Sequence, residues 1–141
     1  MNIPHDKFCV LPWISLEASP IGTVRPCCLA ADEIVDARGT KFLLGQDSFD
    51  DIRNSDHMMQ LRREFLAGEQ PLTCRRCWAE EDAGRTSKRM HTLDRLKHLP
   101  GIDEFTEDVK PLMFVDFKLG NICNLKCRIC GSWSSSTYAV E

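Results

Sequence analysis

The sequence predicts an α+β fold: a small cysteine-rich N-terminal module built from a β-hairpin and helices, then one strong strand that runs into a loop of clustered cysteines. Three observations carry this. In "WISLEAS", Trp13, Ser15 and Glu17 alternate with Ile14, Leu16 and Ala18, "SPIG" has turn chemistry, and "TVRP" supplies a short returning strand. Helical apolar stripes recur between residues 48 and 99. Finally, "PLMFVDFKLG" places Met113, Val115, Phe117 and Leu119 on one face and Leu112, Phe114, Asp116 and Lys118 on the other. Both faces are apolar for much of their length, the pattern of a strand buried on two sides in a parallel sheet or barrel.

Along the chain, the hairpin delivers the backbone into Cys27 and Cys28. Residues 29–47 have no clear period and contain Gly39 and Gly45, so they read as loop with a short strand at "KFLLG". Ser48 caps a short helix through Ile52. Ser55 caps a second one, whose stripe of Met58, Leu61 and Phe65 is core until Gly68 and Pro71 stop it. Cys74 and Cys77 lie one turn apart on a loop or helix start, and "WAEED" continues as helix to Gly84. From Thr86 to Leu99, Met90, Leu93 and Leu96 mark an amphipathic helix that Pro100 and Gly101 end. Its outer face is basic, with Arg85, Lys88, Arg89, Arg95 and Lys97. A solvated face is the first reading and a surface that steers an anionic partner the second. Residues 101–110 are acidic and loop-like. The expected organisation is a module over 1–85, a linker helix and loop over 86–110, and a second unit over 111–141.

A chain of 141 residues holds one ordinary domain, or a small one and part of another. Its 43% apolar and 28% charged residues are those of a soluble globular protein, and a net charge of -3 argues against a nucleic-acid partner. No apolar run reaches membrane-spanning length, and "MNIPHDKFCV" has no secretory pattern, so a cytoplasmic protein without membrane association is expected. In that reducing compartment the eight cysteines, Cys9, Cys27, Cys28, Cys74, Cys77, Cys123, Cys127 and Cys130, read as metal ligands rather than disulfides. His5, His57, His91 and His98 have no ligand-like spacing and read as surface or capping residues.

Cys123, Cys127 and Cys130 form CxxxCxxC directly after the predicted strand. Three thiolates at this spacing bind three irons of a cubane cluster and leave the fourth iron open to a substrate or cosubstrate, and no cysteine or histidine follows to close the site. "LGNICNLKCRIC" resembles the cluster loop of radical S-adenosylmethionine (radical SAM) enzymes, whose hallmark is CxxxCxxC at the end of the first strand of an α/β barrel. The resemblance implies that Cys123, Cys127 and Cys130 hold a 4Fe-4S cluster whose unique iron is chelated by SAM. One electron then cleaves SAM to methionine and a 5'-deoxyadenosyl radical, which abstracts hydrogen from a substrate. Ile129 stands where that family commonly has an aromatic residue. A full barrel needs about 200 residues or more. Here there is one strand and, at "SWSSS", the start of a helix, and the glycine-rich SAM-binding segment would lie beyond Glu141. The expectation is an incomplete barrel, inactive alone: the N-terminal part of a longer protein, a truncated product, or half of a split enzyme completed by a separate barrel subunit.

Cys9, the Cys27/Cys28 pair and the Cys74/Cys77 pair give the count for a closed four-cysteine site, which suits zinc or an iron-sulfur cluster equally by ligand number. "FCVLPW", "GTVRPCC" and "CRRCWAEEDAG" resemble the twitch or SPASM-type modules that accompany radical SAM barrels and carry an auxiliary 4Fe-4S cluster, here in the order of an N-terminal twitch group. The resemblance implies Cys9, Cys27, Cys74 and Cys77 as ligands. Cys28 is then a small buried spare or a substitute for Cys27, and Trp78 a shield against water or simply a core aromatic. It also implies a peptide or protein substrate and an electron donor such as flavodoxin or ferredoxin. A closed auxiliary site favours electron transfer or a structural role over substrate ligation. The alternative is a non-catalytic zinc or iron-sulfur module that acts as an adaptor.

Overall fold

The computed structural model describes residues 2–98, 104–132 and 135–138, as a small α+β fold with a three-stranded sheet and several helices. The alternating "WISLEAS" does not start as strand. Pro12 sits in the first turn of a short helix, α1 (Leu11–Ile14), where its fixed φ suits helix and its missing N–H costs nothing. At Ser15 the backbone turns extended (φ -127, ψ 152) and β1 (Ser15–Ala18) begins. β2 (Val24–Arg25) returns antiparallel, pairing Glu17 with Arg25 and Ala18 with Val24. The turn between them needs Gly22, which has φ +89 and leaves only 3.3 Å between a Cβ placed there and the Leu44 carbonyl oxygen.

β3 (Phe114–Phe117) lies parallel to β1 on its other edge, in register from Ser15 opposite Phe114 to Ala18 opposite Phe117. The order β2-β1-β3 makes β1 the central strand, and all of its residues are buried. The expected strand over 111–120 is thus confirmed at its centre, but not its burial on two sides. Met113, Val115, Phe117 and Leu119 are exposed, Leu119 at 93%, because β3 is an edge strand and none of the described residues covers that face. Residues 29–47 make isolated bridges, Thr23 with Leu43, Val35 with Lys41 and Leu44 with Asp47, rather than a regular strand at "KFLLG".

The helices begin where serine caps predict. Ser48 accepts from the Asp51 N–H at the start of α2 (Phe49–Arg53), and Ser55 from that of Met58 at the start of α3 (Asp56–Leu66). The Met58, Leu61 and Phe65 stripe is buried as expected. A 3-10 turn (Leu72–Cys74) leads into α4 (Arg75–Asp82). α5 (Lys88–Leu96), capped by Ser87, differs from the sequence reading: Leu93 and Leu96 enter the core, but Met90 is exposed and Arg89 takes the inward position. The expected stop at Pro100 and Gly101 lies outside the described residues, as does Trp133 in the expected helix start. Beyond it, Ser136–Tyr138 form a 3-10 turn.

Residues 104–113 are strapped onto the N-terminal segment. Phe105 packs against Phe8 and Trp13 with ring centroids 4.5 and 5.5 Å apart, and the Trp13 indole N–H donates to the Thr106 carbonyl at 2.7 Å. Two buried guanidinium groups complete the strap. Arg53 donates to the carbonyls of Trp13 and Lys110, and Arg62 to those of Glu107, Pro12 and Arg53. Burial, then the nearby Arg53 charge, lowers the Arg62 pKa to about 10. Arg62→Ala leaves several buried carbonyls without a donor and is expected to cost about 2 kcal/mol or more. The exposed Arg63–Glu107 pair is screened by water and contributes far less. Urea denaturation of Arg62→Ala beside Arg63→Ala checks this, and equal losses would contradict it.

Candidate metal centre

Four thiols from three separate stretches of chain line one cavity: Cys9 from before α1, Cys27 from just past β2, and Cys74 and Cys77 from the 3-10 turn and first turn of α4. Leu11, Leu29, Ala30, Phe65 and Arg89 complete the wall. Local folding explains each position. β2 runs antiparallel to β1, so it exits beside the N-terminal end of β1, where Cys9 and α1 lie. A turn closed by Ala30 N–H to the Cys27 carbonyl (3.1 Å) follows. The loop then docks on the Cys74 segment, with Ala31 N–H donating to the Thr73 carbonyl (2.9 Å) and Asp32 N–H to the Thr73 hydroxyl (3.1 Å). The 3-10 turn, closed by Cys74 N–H to the Pro71 carbonyl, puts Cys74 and Cys77 one turn apart on the same side.

The thiols are buried and feel one another. Burial, then the neighbouring Cys74 and Cys27, pushes the Cys9 thiol well above its ordinary pKa. Burial raises Cys27 also, against the backbone N–H groups of Leu29 and Ala30 that favour its thiolate. Cys74 is pushed up to about 12 by burial and by Cys27, Cys77 and Glu64, while Arg89 acts in the opposite direction. Without metal these groups stay protonated. The donor set fits a thiophilic group: four sulfurs in an apolar wall, with no carboxylate or imidazole among them. The thiols share that wall without closing on a point, and among the described residues no three His, Cys, Asp or Glu side chains are placed to hold a single metal ion.

Cys28, the adjacent cysteine, faces away from this cavity. It lines a cavity of about 330 Å³ between α5 and β3, and its sulfur meets the Lys88 side chain. Trp78 is not part of the thiol cavity either. It is a core aromatic whose indole N–H donates to the Pro71 carbonyl (3.1 Å) and whose ring packs on Phe65, while Phe65 itself lines the cavity. His5 and His57 bond to backbone, at the Phe65 carbonyl and the Val35 N–H.

The sequence reading misplaced Arg89. Far from lying on a solvated face, it is 5% exposed and borders the thiols. It donates to the carbonyls of Asp6 (2.6 Å) and Phe8 (2.9 Å), to the Glu81 carboxylate on α4, and its guanidinium carbon lies 5.0 Å from the Trp78 ring centre. Burial works to raise the Glu81 carboxyl, but hydrogen bonds from Arg89 and Ser87 outweigh it and hold that pKa below its usual value. Its position on the inward side of a helix that also carries Leu93 and Leu96 was the available signal, at i, i+4 and i+7.

The second cysteine set sits elsewhere. β3 runs parallel to β1 and leaves the sheet at the opposite end, so Cys123, Cys127 and Cys130 do not join the four-thiol cavity. Lys118 fixes that exit through an ion pair with the buried Glu17 carboxylate (2.5 Å). Beyond it the loop is stitched by hydroxyl groups. Ser135 donates to the Leu125 carbonyl (2.8 Å), Thr137 to the Cys123 carbonyl and Tyr138 to the Cys127 carbonyl (3.0 Å), and a turn joins Cys130 N–H to the Cys127 carbonyl. Cys127 is exposed, Cys123 and Cys130 half-buried, and the Cys123 sulfur accepts from the Leu125 N–H at 3.4 Å.

Residues 9–78 match the family model of SPASM, an iron-sulfur cluster-binding domain. The matched segment starts at the first thiol of the cavity and ends one residue past the last, and it assigns iron-sulfur binding to this part of the chain. The CxxxCxxC loop lies outside it. Comparison with curated proteins and with solved structures finds no match. Among the described residues no helix is long and apolar enough to cross a membrane.

The raised thiol pKa values fix a pH dependence for the metal-free chain. A thiol that ionises near 9 when unfolded and near 12 when folded contributes stability that is full below pH 9 and lost as pH rises toward 12. The urea midpoint of metal-free, reduced protein is therefore expected to fall between pH 9 and 11, with a shallower fall in Cys74→Ala. The same slope in both would show that Cys74 ionises freely in the fold.

Proposed function

We propose that this chain is the N-terminal part of a radical SAM enzyme, with an auxiliary 4Fe-4S cluster on Cys9, Cys27, Cys74 and Cys77 and a SAM-binding 4Fe-4S cluster on Cys123, Cys127 and Cys130. The observation that carries the reading is the convergence of four thiols on one apolar cavity inside the SPASM-matching segment. SPASM domains occur beside radical SAM barrels, and the CxxxCxxC loop follows a strand in parallel pairing, as the first strand of such a barrel would. When bound, the second cluster supplies the electron that splits SAM into methionine and a 5'-deoxyadenosyl radical. The chain's own part is to hold three thiols on a hydroxyl-stitched loop at the end of β3 and to leave one cluster corner for SAM.

The exposed apolar face and free edge of β3 are where further barrel strands would pair, whether from the same polypeptide or a separate subunit. In this reading residues 1–85 are the auxiliary module, 86–110 a linker and 111–141 the start of the barrel, working in the cytoplasm with a flavodoxin or ferredoxin donor on a peptide or protein substrate. The cysteine sets leave opposite ends of β1, itself about 13 Å long at the usual rise. That spacing favours electron relay or a structural role for the auxiliary cluster over a shared grip on substrate.

Anaerobically reconstituted protein is expected to hold about eight irons with matching acid-labile sulfide, and a variant lacking Cys123, Cys127 and Cys130 about four, as two cubanes require. Zinc without sulfide would overturn the reading in favour of an adaptor module. In a protein with its barrel complete, Cys127→Ala is expected to abolish reductive SAM cleavage while the auxiliary cluster stays bound. Continued cleavage would remove the CxxxCxxC loop from the chemistry.

A further inference from the structure

Arg89 is a full positive charge held out of water at the wall of the four-thiol cavity. Its donors are committed on three sides: to the carbonyls of Asp6 and Phe8, which lead into Cys9, and to Glu81 on α4, the helix that carries Cys77. The guanidinium is therefore fixed relative to ligands from two of the three converging stretches. Glu81 is its counter-charge, and its side chain is 19% exposed against 6% for that of Arg89. A cubane on four thiolates is already anionic, and taking up one electron adds a further negative charge. A fixed cation at its edge stabilises the reduced form more than the oxidised form, and a fixed anion does the reverse.

We propose that buried Arg89 and its half-buried partner Glu81 set the reduction potential of the auxiliary cluster, Arg89 raising it and Glu81 lowering it. The inference rests on the cluster assignment of the preceding subsection. It makes the pair a local device that poises the cluster for electron uptake, with charge rather than packing as the active quantity. Among the described residues Arg89 is the one charged side chain in the wall, and Glu64, outside it, acts on Cys74 with the opposite sign.

The test is a redox titration followed by electron paramagnetic resonance, with dithionite as the one-electron source. The protein is the full chain lacking Cys123, Cys127 and Cys130, so that only the auxiliary cluster responds. At the parent midpoint, Arg89→Gln is expected to shift the reduced-to-oxidised ratio about tenfold toward oxidised, a midpoint lower by about 59 mV for one electron. Glu81→Gln is expected to shift it the other way, and Arg89→Lys to stay near the parent. Loosened packing would move both glutamine variants in the same direction, so opposite signs distinguish charge from disruption. Shifts of the same sign, or none, would overturn the inference while leaving the cluster in place. If Arg89→Gln fails to fold, Glu81→Gln and Arg89→Lys decide it by the same signs. A parent protein that takes up no iron and sulfide would instead remove the cluster assignment itself.

Discussion

The central strand β1 is the constraint on which the rest of the molecule depends. Four residues long and buried on both faces, it must pair on both edges, and the two partners run in opposite directions. Antiparallel β2 carries the chain back to the start of β1, where Cys27 meets Cys9. Parallel β3 carries it past the end of β1, toward Cys123. Strand direction alone thus separates one thiol set from the other. The buried Glu17, paired with Lys118 and 3.7 Å from Arg25, links all three strands through a single carboxylate. A carboxylate so deeply placed is retained only with compensating cations, which here come from β2 and from just past β3.

Buried arginines do much of the work that a larger domain would leave to apolar side chains. Arg53, Arg62 and Arg89 are each nearly inaccessible, and each spends its donors on backbone carbonyls of short helices and loops. Carbonyls at helix ends and in loops lack a regular ladder partner, and burying them unpaired would be costly. A guanidinium with several donors in a fixed plane satisfies two or three at once. Arg53 and Arg62 thereby hold residues 104–113 over α1 and deliver β3 to β1. Arg89 holds the approach to Cys9 against α4. The charge comes with the geometry, and beside the thiols it becomes chemically relevant.

The surface of β3 stands apart from this closed interior. Val115 and Phe117 lie on the same face as the buried Leu16 and Ala18, yet they are exposed, and Leu119, Ile122 and Ile129 beyond them are almost fully so. The module side of the fold satisfies its strands; the cysteine-loop side presents apolar residues and an unpaired edge.

Much was legible in the sequence because it depended on local rules. Serine caps at Ser48 and Ser55, the Met58/Leu61/Phe65 stripe, the hairpin turn at Gly22 and the strand around Val115 follow from hydrogen bonding and periodicity within a few residues. The cysteine spacings also declared a thiol-ligated centre, and the SPASM match over residues 9–78 bears out iron-sulfur binding there. Only the tertiary structure decided the rest. Alternation at Trp13 lost to Pro12, which favours a first helical turn. The turn after β2 sends Cys27 toward Cys9 and Cys28 toward Lys88, a choice between neighbours that composition does not encode. The rotation of α5 placed Arg89 inward and Met90 outward because carbonyls near Cys9 and the Glu81 carboxylate needed a donor, and those partners lie 81, 83 and 8 residues away in sequence. Side-chain burial is set by such distant partners, and they exist only once the chain has folded.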